Sequence, residues 1–108
     1  VYQGEYKSLE GLRDPYGKYI ILSPMRLMVQ LKDWKLILGC RISGASGELQ
    51  PTGIAHWVVV LKVVPDGFGG WVELYNPFPN RVERYSWREF IKSVGIPFGL
   101  FVRPLETA

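Results

Sequence analysis

The run His56-Trp57-Val58-Val59-Val60-Leu61-Lys62-Val63-Val64 most constrains what this chain can fold into. From Trp57 onward it is too continuously apolar for a strand with one wet face, so it predicts a central strand of a covered sheet. The turn Pro65-Asp66-Gly67-Phe68-Gly69-Gly70 follows, and Trp71 to Tyr75 then reads as the hairpin partner, closed by Asn76-Pro77. Rough symmetry about that turn sets Asn76 opposite Val59, so His56 lies further along by ~10 Å at the usual strand rise. Strand twist, a bulge and two side-chain lengths shorten such a gap. The only histidine of the chain and an asparagine thus fall at one end of one hairpin.

The flanking segments supply helices and further strands. Tyr2, Tyr6, Leu9 and Leu12 line one face of a short helix ending near Gly11 or Asp14-Pro15, and Tyr16-Gly17-Lys18 reads as a turn. Ser23 is an N-cap and Pro24 suits the first helical position. Pro24, Leu27, Met28 and Leu31 then give an apolar stripe that stops near Lys32-Asp33. A strand from Trp34 or Lys35 to about Ile42 leads into a Gly- and Ser-rich loop, Ser43 to Gly53. A capping box, Ser86 with Glu89, opens a second helix that Gly95 ends, and Leu100 to Arg103 forms a last strand. Helix, three strands, helix, strand is an α+β pattern: a mostly antiparallel sheet with flanking helices. Neither a repeat nor a linker divides it, so residues 1–108 read as a single domain.

Each residue with chemistry has two readings. His56 is either a strand-end histidine satisfied by a backbone carbonyl or a general base. Asn76 either starts a turn, as Asn-Pro commonly does, or orients the imidazole through its side-chain carbonyl. Cys40, the only thiol, lies late in its strand, and a hairpin centred on residues 48 to 49 sets it nearly opposite His56 or Trp57. A strand thiol lacks the helix N-terminus that lowers a nucleophile's pKa, so Cys40 reads as buried and inert. Nothing in the spacing of Gln3 or Gln50 argues for an oxyanion donor. Trp57 and Trp71 read as core or sheet-face packing.

His-aromatic-Val-Val at 56–59, the strand ending Asn76-Pro77, and Tyr85-Ser86-Trp87-Arg88-Glu89-Phe90 at a helix start together carry a resemblance. They resemble the C-terminal half of papain-like cysteine peptidases of the bacteriocin-processing type, over roughly residues 23–103. The resemblance implies a papain-like half-domain with His56 and Asn76 as catalytic residues and a peptide or protein as substrate. In that family the nucleophilic Cys opens an upstream helix after an oxyanion-hole Gln, and no Cys lies near Gln3 here. Two readings therefore stand: a cysteine-peptidase-related domain supplying the His/Asn part of a thiol-hydrolase site, or a catalytically inactive papain-like peptide-binding or interaction module. A self-contained enzyme built on Cys40 is a third. The resemblance also leaves Val58, Val60 and Leu61 without the nucleophile helix, so a homodimer or a complementary N-terminal segment is expected to cover them.

Composition bounds the partners. With 47% hydrophobic and 21% charged residues, the chain can build a core and is not a disordered tail. Its net charge of +3 comes from scattered Lys and Arg, and the densest group, Arg81, Glu83, Arg84, Arg88 and Glu89, mixes both signs. That reads as a solvated surface rather than a nucleic-acid face. One cysteine and one histidine give no Cys-rich zinc site and no other metal set, and no cofactor is implied. No apolar run reaches membrane-spanning length. Opening on Val1 rather than Met suggests a fragment, a processed product or an excised domain.

Overall fold

Eight elements follow in the order β1 (Gly4–Ser8), α1 (Pro24–Gln30), β2 (Lys35–Ile42), β3 (Ile54–Asp66), β4 (Gly69–Asn76), β5 (Arg81–Ser86), α2 (Trp87–Val94) and β6 (Gly99–Pro104). The structure is a computed structural model that describes residues 4–8, 23–67, 69–94 and 99–104. It is an α+β fold: one six-stranded sheet in the order β1-β6-β2-β3-β4-β5, every neighbouring pair antiparallel.

The continuous apolar run became the interior strand β3, flanked by β2 and β4. Contrary to expectation, only one of its faces is covered: Val58, Val60 and Val63 are buried, while Trp57 on the other face is 44% exposed. Its neighbours alternate: Leu36, Leu38, Cys40 and Ile42 of β2, and Val72, Leu74 and Asn76 of β4, point to the covered face. The two helices pack there, α1 on β3 and α2 across β2, β4 and β5. Leu27 of α1 and Trp87, Phe90 and Val94 of α2 complete the core with Phe101 of β6. Fully burying side chains of this size stabilises the fold by about 1.5–3 kcal/mol each. Cover for Val58 and Val60 comes from the chain itself: they are 1% and 0% exposed, so these two need no second chain.

Local signals behave as the residue types dictate, with some departures. Pro24 opens α1, but the Ser23 side chain makes no capping bond; its backbone carbonyl accepts from Leu27 N–H instead. The Ser86 hydroxyl does cap α2, accepting from Glu89 N–H at 3.2 Å. Residues 4–8, expected in a helix, form an edge strand, because β6 offers them a row of unpaired backbone groups. Tyr2, Leu9 and Leu12 lie outside the described residues, as do the turn at Tyr16-Gly17-Lys18 and Gly95. Strand β5 was not foreseen, because its alternation is inverted: Val82 and Arg84 face out while Glu83 and Tyr85 face in.

Candidate active site

A single bulge brings His56 and Asn76 together. On the turn side, Val63 pairs with Val72 and Pro65 with Gly70; beyond it, Val60 pairs with Leu74 and Val59 with Tyr75. Leu61 is the extra residue between these registers. An uninterrupted ladder sets Asn76 opposite Val59, an odd step from His56, and puts the two side chains on opposite faces. The bulge shifts the register by one, brings Asn76 level with Val58, and turns both side chains to the covered face.

Their separation is 2.8 Å, His56 Nε2 to Asn76 Oδ1. Asn76 is fully buried and uses its whole hydrogen-bonding capacity. Nδ2 donates to the Gly47 carbonyl at 2.7 Å and to Glu83 Oε1 at 2.8 Å, and Oδ1 also accepts from Phe78 N–H at 3.1 Å. Two acceptors on one side and a backbone donor on the other permit one amide orientation only. Oδ1 is therefore an acceptor facing the ring, so Nε2 carries the proton and Nδ1 is left with a lone pair. For a neutral imidazole, that is the tautomer of a base whose reactive nitrogen is Nδ1.

Loops and β5 hold Asn76 in turn. Gly47 has φ 76°, and a Cβ there falls 2.5 Å from the Phe78 carbonyl oxygen, so only glycine brings the Ser43–Gly53 loop this close. Glu83 accepts from Tyr85 O–H at 3.0 Å and pairs with Arg81 at 2.9 Å, its side chain 7% exposed. The Tyr85 oxygen accepts from Leu49 N–H, which ties the same loop to β5. Burial pushes the Tyr85 phenol up to about 12; the Leu49 N–H bond partly opposes this, and the Glu83 and Glu48 carboxylates add to the rise.

Cys40 is the cross-strand partner of His56, on the same face. No hydrogen bond joins them, and burial pushes the thiol up to about 12. It is a protonated core side chain at neutral pH. Gln50 turns its amide toward its own loop, near Gly53, and Gln3 lies outside the described residues. Trp71 packs on the outer sheet face under the Arg84 guanidinium, 3.9 Å from the ring centre, whereas Trp57 is 44% exposed there.

Sequence reasoning missed Glu83, Tyr85, Arg81 and Gly47. A signal was present: Arg-x-Glu-x-Tyr after an Asn-Pro turn places three polar side chains on one face if the segment is a strand. Among the described residues no cluster of three or more His, Cys, Asp or Glu could hold a metal, and no helix is long and apolar enough to cross a membrane. No family model, curated protein or solved structure matches this chain.

Proposed function

We propose that this chain supplies the base and its orienter to a thiol-hydrolase site, as a cysteine-peptidase-related domain of papain-like type. The observation that carries the reading is the 2.8 Å bond between His56 Nε2 and a buried, fully bonded Asn76 Oδ1, which leaves Nδ1 bare. The nucleophile is a cysteine of another segment or chain, because Cys40 is buried and its thiolate is disfavoured.

Nδ1 takes the thiol proton, and Asn76 Oδ1 stabilises the resulting imidazolium through the Nε2–H bond. The thiolate attacks the peptide carbonyl carbon, and the electron pair of the C=O bond moves to oxygen. When it returns, the C–N bond breaks and the imidazolium passes its proton to the leaving amine. Water, deprotonated by Nδ1, then cleaves the thioester and restores the thiol. General-base assistance of this kind contributes about 10²–10⁴-fold.

An added small thiol can stand in for the absent nucleophile. The chain with 2-mercaptoethanol and a p-nitrophenyl ester of an acylated amino acid is expected to accelerate acyl transfer to the thiol. His56→Ala abolishes the acceleration, Asn76→Ala weakens it, and Cys40→Ser leaves it unchanged. A rate equal to that of His56→Ala contradicts the proposal, and activity lost in Cys40→Ser transfers the nucleophile role to Cys40. A second reading, an inactive peptide-binding or interaction module, is favoured by the buried Cys40 thiol together with exposed Ile54 and Phe78 beside the site. Peptide binding by the chain and by His56→Ala alike, without acyl transfer, supports it.

A further inference from the structure

Three donors converge on Glu83. Oε1 accepts from Asn76 Nδ2 at 2.8 Å and from Tyr85 O–H at 3.0 Å, and Oε2 accepts from Arg81 Nε at 2.9 Å. Only a carboxylate presents acceptors on both arms to such a set. We propose that Glu83 is a positioning residue: through its bond to Asn76 it fixes position 76 as a neutral amide and so helps set the tautomer of His56. Its bearing on catalysis rests on the reading of His56 as a base; its test does not.

Aspartate has the shape of asparagine, and the oxygen facing His56 and Phe78 N–H works equally well from either residue. The other arm decides. In Asn76 it is an NH2 group directed at two acceptors, the Gly47 carbonyl and the Glu83 carboxylate. An aspartate oxygen there meets a second carboxylate at hydrogen-bond distance in a buried place. Two such groups cannot both stay ionised in contact. Arg81 does not relieve the conflict, because it is held on the far oxygen, Oε2, and is half exposed. Glu83 also fastens the surroundings of Asn76, since the Tyr85 hydroxyl that donates to it accepts from Leu49 N–H. Positions 76 and 83 are therefore chemically coupled, and a substitution at one changes which residue suits the other.

A double-mutant cycle of Asn76→Asp and Glu83→Gln tests this, with melting temperature and the His56 tautomer as readouts. The 15N spectrum of the labelled chain reads the tautomer without ambiguity, because the chain has one histidine. Glu83→Gln alone is expected to keep Nε2–H, since one arm still accepts from Asn76, with a modest loss in Tm. Asn76→Asp alone lowers Tm by ~5 °C or more and mixes the two tautomers as the carboxylates part. The double variant recovers Tm above Asn76→Asp and restores Nε2–H, because the amide NH2 that Glu83→Gln introduces can donate to the new carboxylate. Glu83→Gln thus lowers Tm beside asparagine and raises it beside aspartate. Equal effects in both backgrounds, an unmixed tautomer in Asn76→Asp, or a double variant no better folded than Asn76→Asp overturns the proposal. No thiol or substrate enters the experiment, so its outcome is independent of acyl transfer.

Discussion

At the scale of single residues, the site is a chain of obligatory partners around one buried amide. Asn76 is legible in sequence as an Asn-Pro strand end, and His56 as the only histidine, but neither signal contains the bonds that orient them. Those come from Phe78 in the turn just after Asn76, from Gly47, which is distant from Asn76 in sequence, and from Glu83, which lies in a segment with misleading polarity. Gly47 is the sharpest test of the arrangement. Alanine there adds a positive-φ penalty and a Cβ 2.5 Å from the Phe78 carbonyl oxygen. Backbone strain of this sort costs about 1–3 kcal/mol. Gly47→Ala is expected to lower stability by that order in a denaturant titration and to weaken the Asn76-to-carbonyl bond. An unchanged midpoint shows that the two loops do not need this approach.

At the scale of elements, what positions the site is a register. The apolar runs of β3 and β4 and their turn were readable from residue type. The bulge at Leu61 was not placed, because an extra residue in a continuous Val/Leu run leaves no mark on the periodicity. The same holds for β5, where a charged residue faces in and Val82 faces out at 55% exposure, so alternation points the wrong way. Residues 4–8 fail for a related reason: an edge strand is specified by its neighbour's unpaired groups more than by its own pattern. Deleting Leu61 is expected to turn the two registers into one regular ladder and to keep His56 and Asn76 bonded, since both halves retain their pairs. Loss of the histidine–asparagine contact in that variant, read from the imidazole 15N signals, shows that the bulge shapes the site beyond setting its register.

At the scale of the whole molecule, one face of the sheet carries both the core and the candidate site. Cys40 and Tyr85 belong to that face, and both are harder to ionise folded than unfolded. The unfolded chain releases the thiol proton near pH 9 and the folded chain keeps it to about 12, so stability declines as pH rises through that window. Tyr85 adds to the decline from about pH 10. Melting temperature is expected to fall more steeply across this range in the parent chain than in Cys40→Ala, whatever their difference at neutral pH. Parallel curves contradict a buried, protonated Cys40.

The α+β class, the central strand and the placement of His56 and Asn76 at one hairpin end were accessible from sequence, because each follows from residue type and local pattern, whereas their contact depends on the bulge at Leu61. The protonation pattern was not, because it depends on long-range bonds. The imidazole 15N spectrum of the unmodified chain, recorded above the pH at which the ring becomes neutral, tests the central claim most directly. Nε2 protonated and Nδ1 bare is the predicted result. A proton on Nδ1, or a mixture of both forms, contradicts it, because Asn76 Oδ1 then no longer holds the ring as a base.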